Sequence, residues 1–85
     1  MIEKRGTIGA DHPALPGHFP GDPIVPGVVL LHEVLSTLPQ AMNILWAKFH
    51  APLRPGEKFV IRIDDRRFSV HRGDALIASG SLSPA

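Results

Sequence analysis

The chain of 85 residues is long enough for one domain, predicted to span residues 1–85, with a formal net charge of +1 and no cysteine. A domain of this size buries only roughly 60–65% of its unfolded surface, so a partner subunit is expected to complete its core. The lack of cysteine excludes disulfides, thiolate metal sites and a thiol nucleophile. The small net charge gives no general attraction to nucleic acid. A small acidic partner could still use the scattered basic residues Lys48, Arg54, Lys58, Arg66 and Arg67.

The N-terminal residues MIEKRG do not resemble a secretory signal, and no apolar run approaches the roughly 20 residues that span a bilayer. We therefore expect a cytoplasmic protein without a membrane span. The tripeptide Arg72-Gly73-Asp74 invites an adhesion interpretation, but without a secretion signal a plain turn is favoured.

The first predicted element is a short strand over residues 2–8, which alternates weakly and is interrupted by glycine. Residues 11–26 are predicted to form a stiff loop, because their prolines fix φ and remove hydrogen-bond donors. Such stiffness suits a side chain that must be held in one place. The residue so held is His18.

A helix is predicted from about Val28, because Gly27 is tolerated as an N-cap and Pro26 cannot lie inside a helix. Pro39 ends it. Its apolar face is predicted to contain Leu30, Leu31, Val34, Leu35 and Leu38. Its other face is predicted to contain His32, Glu33, Ser36 and Thr37, with Val29 among them.

The remainder of the chain predicts antiparallel sheet. Residues 44–51 have strand-like composition, with Trp46 and Phe49 as core or dimer contacts, and residues 52–56 form a turn-rich break. Residues 57–64 alternate cleanly, and residues 67–71 and 75–82 form a hairpin in which Gly73 supplies positive φ. The expected fold class is α+β, with one helix packed on the sheet and a side-by-side dimer that continues the sheet.

Two motifs carry a resemblance to a known family. The run GHFPG at residues 17–21, followed by Pro23 and by PGV at residues 26–28, resembles the signature of the beta-hydroxyacyl-acyl-carrier-protein dehydratases. The run AKFHAPLRPGE at residues 47–57 is similar to that family's second recurring stretch. The resemblance implies the hot-dog fold, a curved antiparallel sheet wrapped around a central helix, working as a dimer. The sequence of residues 12–31 resembles the sequences of a short subgroup of this family that is linked to aryl-polyene or xanthomonadin-type biosynthesis.

The same resemblance implies a catalytic arrangement. His18 would be the base that removes the C2 proton of a 3-hydroxyacyl thioester, since imidazole titrates near neutral pH. The backbone N–H of Gly27 would polarise the thioester carbonyl, a role that a helix N-terminus also suits on physical grounds. The motif residues Phe19, Pro20 and Gly21, together with Val28 and Leu31, are expected to border the substrate.

The third catalytic group departs from the family pattern. Relatives carry an Asp or Glu at the sixth residue after the motif proline, contributed by the opposite subunit, and that position is His32 here. Protonated His32 could serve as the acid. A shifted or bulged helix could instead bring Glu33 inward, although one helical step turns a side chain by about 100°. As a third alternative, the site has lost catalysis and binds an acyl chain or acyl-carrier protein without reaction.

Dehydration of a 3-hydroxyacyl thioester, linked to acyl-carrier protein, to the trans-2-enoyl product is therefore the leading predicted function. The alternative is a non-catalytic subunit that binds an acyl chain or carrier protein, within a homodimer or a heterodimer with an active dehydratase. An acyl thioesterase of the same fold is third, since the histidine loop offers it neither a placed carboxylate nor a nucleophile. No cofactor is predicted, and His12, His18 and His32 lack a zinc-binding spacing.

Overall fold

The computed structural model describes residues 1–12 and 24–85. Within these residues the chain forms one helix and a single five-stranded sheet with the strand order β1-β3-β4-β5-β2. Every neighbouring pair of strands is antiparallel. The elements are β1 (Ile2–Thr7), α1 (Gly27–Thr37), β2 (Met42–Phe49), β3 (Lys58–Asp64), β4 (Arg67–Arg72) and β5 (Ala75–Pro84).

The alternation of apolar and polar residues over residues 57–64 correctly predicted strand β3. Along β3, Phe59, Ile61 and Ile63 are buried, whereas Lys58 and Arg62 are exposed. The inner face of the sheet packs against the helix in one apolar core, which also takes in Phe68 and Val70 of β4 and Ile77 and Leu82 of β5. This arrangement confirms the predicted α+β class.

The helix and its apolar face are correctly predicted, but one residue of the predicted polar face is buried as well. It begins at Gly27, with Pro26 as the N-cap, one residue earlier than expected. Val29, assigned to the polar face, is buried with Leu30 and Val34, whereas Leu31 and Leu35 are only partly buried. The direction in which the helix lies on the sheet selects the buried arc, and this direction is not encoded in the spacing of apolar residues.

Two register shifts interrupt the sheet, one between Ile44 and Trp46 of β2 and one between Val70 and His71 of β4. Such bulges bend a strand and increase its twist. Gly80 of β5 pairs with Ala47, just beyond the first shift, and an added Cβ there would collide with the carbonyl oxygen of Trp46 and the ring of Phe68. A glycine is therefore required at this position of the strand.

The predicted break before β3 is a tight turn closed by Glu57. The Glu57 N–H donates to the Arg54 carbonyl at 3.2 Å, and the Arg54 N–H donates to Glu57 Oε1 at 2.6 Å. Gly56 lies between them with a φ of 86°, a conformation that glycine adopts without strain. Arg72 also reaches this turn, donating from Nη1 to the Pro52 carbonyl at 2.7 Å and to Glu57 Oε1 at 3.3 Å.

The β4–β5 hairpin confirms the predicted turn. Gly73 has a φ of 57°, and the strands on either side of it end at Arg72 and begin at Ala75. Because the Arg72 side chain is bound to the neighbouring turn, the tripeptide at residues 72–74 serves the structure of the hairpin.

Candidate functional site

The N-terminus of α1 is the feature around which the predicted site is organised. The Pro26 carbonyl accepts from the N–H groups of Val29, at 3.0 Å, and Leu30, at 3.4 Å. The N–H groups of Gly27 and Val28 come earlier in the helix and have no acceptor within it. No side chain caps this end with a hydrogen bond within the described residues. These two donors are therefore suited to bind an oxygen atom from outside the helix.

The charges along α1 leave the helix dipole uncompensated. Its first turn contains no acidic residue and its last turn contains no basic residue. Aligned peptide dipoles place about half a positive charge at a helix N-terminus. A carbonyl oxygen that becomes negative during a reaction would be stabilised there, and no acidic side chain in the first helical turn competes for this charge.

Gly27 lies under the ring of Phe49 at the end of β2. A Cβ added to Gly27 would be 2.6 Å from Phe49 Cζ and 3.0 Å from both Cε atoms. The glycine therefore allows the aromatic ring to cover the start of the helix. Next to this contact lies an open cavity of about 450 Å³. It is lined by Ile24, Val25, Gly27, Leu30, Phe49, His50, Ala51, Pro52 and Leu53.

A second, smaller cavity of about 230 Å³ lies beside the same helix turn, lined by His12, Val28, Val29 and His32. His32 is exposed, and His12 is half-buried. Two of the predicted site residues, Val28 and His32, thus border one space. The sequence marks His12 only by its place in the predicted loop over residues 11–26.

Glu33 does not border this cavity. It is half-buried on the neighbouring side of the helix, where its carbonyl accepts hydrogen bonds from the hydroxyls of Ser36, at 3.0 Å, and Thr37, at 2.8 Å. The helix is regular from Gly27 to Thr37, so no bulge turns Glu33 toward His32's cavity. Of the two candidate acids, His32 alone borders this cavity.

The remaining predicted site residues divide into two groups. His18, Phe19, Pro20 and Gly21 lie outside the described residues. Leu31 is half-buried and packs against the edge of the core. Its role in substrate binding stays a prediction.

Two further histidines are engaged with serines of the sheet. His50 Nε2 lies 2.9 Å from Ser79 Oγ, and His71 Nε2 lies 2.8 Å from Ser69 Oγ. Their hydrogen bonds give them a structural role apart from the cavity at His32.

The architecture defines the class of protein. A five-stranded antiparallel sheet packed on a single helix, with the proline-glycine motif at the start of that helix, is the hot-dog arrangement. A family model described as ApeI dehydratase, of the ApeI-like type, matches residues 1–81. The chain therefore belongs to the ApeI-like dehydratase family.

Three similar proteins are each named 3-hydroxyacyl-[acyl-carrier-protein] dehydratase FabZ. The one from Haemophilus influenzae is 47% identical over 63 residues, covering 73% of this chain and 39% of that protein. The one from Mannheimia succiniciproducens is 43% identical over 78 residues, covering 88% and 49%. The one from Klebsiella pneumoniae is 40% identical over 74 residues, covering 84% and 46%. The chain thus spans less than half the length of these curated relatives.

No helix within residues 1–12 and 24–85 is long and apolar enough to cross a membrane. The same residues contain no group of three or more His, Asp or Glu side chains arranged to hold a metal ion.

Proposed function

We propose that the protein dehydrates a 3-hydroxyacyl thioester to the trans-2-enoyl thioester. A base removes the C2 proton, the electrons of that C–H bond form the C2=C3 double bond, and the C3–O bond breaks. The departing oxygen takes up a proton and leaves as water. The observation that carries this proposal is the N-terminus of α1, where the Gly27 N–H has no acceptor within the helix and an open cavity adjoins it.

The Gly27 N–H would stabilise the thioester oxygen as it gains negative charge. An oxyanion donor of this kind contributes on the order of 10²–10³ in rate. The Phe49 ring over Gly27 supports this role, because an apolar cover reduces the competition of water for the N–H group.

His18 is the proposed base, on the strength of the motif that surrounds it. His32 is the proposed acid, and its place on the wall of the smaller cavity supports this assignment over Glu33. An imidazolium can donate a proton near neutral pH, whereas the apolar side chains of Val28 and Val29 that complete this wall cannot.

The partner subunit is proposed to join at β2. The other edge strand, β1, is protected by the exposed charges of Glu3, Lys4 and Arg5. The β2 edge instead presents Leu45, 64% exposed, and Trp46, 47% exposed. Unprotected apolar edges pair readily with another strand. A second copy that continues the sheet from β2 would cover them.

This assembly has its own test in sedimentation analysis. Leu45→Lys adds a charge to the β2 edge and is expected to shift the protein from dimer to monomer. Lys4→Glu changes the charge of the β1 edge and is the matched control, expected to leave the dimer intact. Dissociation by the control alone would place the interface at β1.

The substrate carrier is proposed to be an acyl-carrier protein, as the names of the FabZ relatives state for those proteins. A carrier protein would reach the site as a soluble partner, and we place the reaction in the cytoplasm. Cell fractionation tests that location.

The proposed activity is tested by following enoyl absorbance with 3-hydroxyacyl thioesters of several chain lengths. His18→Ala should reduce the rate by at least about 10²-fold, the usual contribution of a general base. His32→Ala should also reduce it strongly, whereas Glu33→Ala should not. His71→Ala is the matched control, because that histidine contacts Ser69 away from both cavities.

Other outcomes identify the alternatives. A wild-type protein that forms no enoyl product at any chain length, yet binds acyl-carrier protein, would be the non-catalytic subunit. In favour of this alternative, no carboxylate of the described residues borders the cavity that His32 helps to form. Release of free thiol without enoyl absorbance would indicate a thioesterase.

A further inference from the structure

The turn over residues 52–57 holds the start of α1 in place. Its first two residues line the larger cavity together with Gly27. Leu53 is buried, and its carbonyl accepts the Val25 N–H at 2.8 Å. Val25 is also buried and immediately precedes Pro26, the N-cap of the helix. Because the proline ring fixes φ at this junction, a displacement of Val25 is carried on to Gly27.

The turn is itself attached to two other parts of the chain. The Gly56 N–H donates at 2.8 Å to the carbonyl of Ile8, the residue after β1. At the end of β4, Arg72 Nη1 donates to the Pro52 carbonyl at 2.7 Å and to Glu57 Oε1 at 3.3 Å. This nitrogen carries two hydrogens, so it can hold both acceptors at once. The Arg72 side chain thus joins the first residue of the turn to its last.

The ion pair of Arg72 with Glu57 is better shielded from water than that of Arg62 with Glu3. The side chains of the first pair are 31% and 32% exposed, and those of the second pair are 49% and 42% exposed. Partly buried charges are screened less than exposed ones. We therefore expect Arg72 to hold the turn more firmly than Arg62 holds the β1 edge.

The turn does not depend on Arg72 alone for its closure. Glu57 Oε1 also accepts the Arg54 N–H at 2.6 Å, and the Glu57 N–H donates to the Arg54 carbonyl at 3.2 Å. Loss of the Arg72 donors should therefore leave the turn closed but release the Pro52 carbonyl. The next residue, Leu53, binds the entry to the helix, so the expected effect is a shifted helix start in a protein that still folds.

We propose that Arg72 is a positioning residue for the dehydration, which holds the turn so that the Gly27 N–H meets the oxygen of the substrate thioester. The inference rests on the proposed function and adds a residue that acts on the reaction through the turn. A displacement of a catalytic group by about 1 Å can lower a rate by about 10²-fold. Because the bond to the thioester oxygen strengthens in the transition state, Arg72 should control kcat more than KM.

The test compares four variants of the full chain with wild type. Arg72→Met keeps an apolar stem but removes the donors, whereas Arg72→Lys keeps donors on a stem of similar length. Arg72→Gln is a second variant that shortens the side chain and removes its charge. Arg62→Met is the matched control, because Arg62 also contacts a glutamate at 3.3 Å but does so at the β1 edge. For each protein, kcat and KM are measured with a 3-hydroxyacyl N-acetylcysteamine thioester.

A second measurement reads the position of the Gly27 N–H without turnover. Infrared difference spectra are recorded for a bound saturated acyl thioester with an isotope-labelled carbonyl. This ligand has no 3-hydroxyl group and cannot be dehydrated. A hydrogen bond from the Gly27 N–H polarises the carbonyl group, so its stretching frequency should be lower in the wild-type complex than in water.

Arg72→Met should lower kcat by about 10- to 100-fold and change KM by less than about threefold. It should also return the carbonyl frequency of the bound thioester to its value in water. Arg72→Lys should recover both the rate and the frequency, because it keeps a donor for the Pro52 carbonyl. Arg72→Gln should show a smaller loss of the same kind, and Arg62→Met should match wild type.

The inference is overturned if Arg72→Met leaves the carbonyl frequency unchanged, if it raises KM alone, if Arg62→Met has the same effect, or if wild type shows no frequency shift. If Arg72→Met does not fold, Arg72→Gln decides by the same criteria. The proposed function is judged separately. A frequency shift that depends on Arg72, without enoyl formation in wild type, would refute the dehydratase proposal alone. Normal enoyl formation in every variant would refute only the role of Arg72.

Discussion

The contact between Gly27 and Phe49 gives the sharpest test of how the start of α1 is built. In Gly27→Ala the new methyl group would lie 2.6 Å from Phe49 Cζ, whereas carbon atoms pack at about 3.5–4.0 Å. The ring must therefore retreat by about 1 Å from its present contact. Because the Phe49 side chain is half-exposed, it can turn outward, at an expected cost of about 1–2 kcal/mol, within the range for overpacking.

Helix propensity opposes this loss, so the sign of the change in the free energy of unfolding is informative. Alanine is favoured over glycine in a helix by up to about 1 kcal/mol, and less at the first helical position. The net effect of Gly27→Ala on wild type should be a loss of about 1 kcal/mol. With Phe49→Ala in place the clash is gone, so the same substitution should stabilise the protein by about 0.5 kcal/mol.

The assay is a double-mutant cycle of the two substitutions by urea unfolding, with all four proteins at one concentration because association raises apparent stability. A coupling of about 1–2 kcal/mol between the positions is expected. If Gly27→Ala costs the same with and without the aromatic ring, the ring does not limit this position and the reasoning fails.

Three further predictions concern the core, the helix face and the turn. Gly80→Ala should lower the free energy of unfolding by about 3 kcal/mol, because a strand carbonyl and a buried ring cannot both retreat, and an unchanged urea midpoint would contradict this. Val29→Thr buries a hydroxyl and should lower the free energy of unfolding by about 1–3 kcal/mol. Val28→Thr, at a site that is 72% exposed, should change it by less than about 0.5 kcal/mol. Equal thermal shifts for the two variants would refute the observed helix orientation. Glu57→Ala should lower the free energy of unfolding by about 1–2 kcal/mol, because its carboxylate accepts hydrogen bonds from both the turn and a neighbouring arginine. Arg62→Ala loses only an exposed ion pair and should lower it by no more than about 0.5 kcal/mol in the same denaturation series.

Much of the fold was predictable from local signals. The alternation around Ile61 predicted β3, Gly73 predicted the hairpin turn, and Pro26 and Pro39 bracketed the helix. Proline, glycine and the alternation of apolar and polar side chains act on the backbone within a few residues. Their effects can therefore be predicted without the rest of the chain. The predicted strands differ from the observed ones mainly at their ends.

The candidate site was only partly predictable. The proline-glycine motif correctly indicated the family and directed attention to the helix N-terminus. The choice between His32 and Glu33 as the catalytic acid stayed open, because the sequence does not determine which side of the helix borders a cavity. In the structure His32, and not Glu33, borders the smaller cavity, and which of the two is the acid stays a prediction.

By itself the sequence determined the order of the elements and the motif that opens the helix. Only the tertiary structure decided three other features. They are the burial of Val29, the ring of Phe49 over Gly27, and the cavity that His12 and His32 both border. Each depends on how the helix lies against strands and turns that are distant in the chain. Local conformational preferences do not fix that placement, since it is chosen by the packing of the whole core.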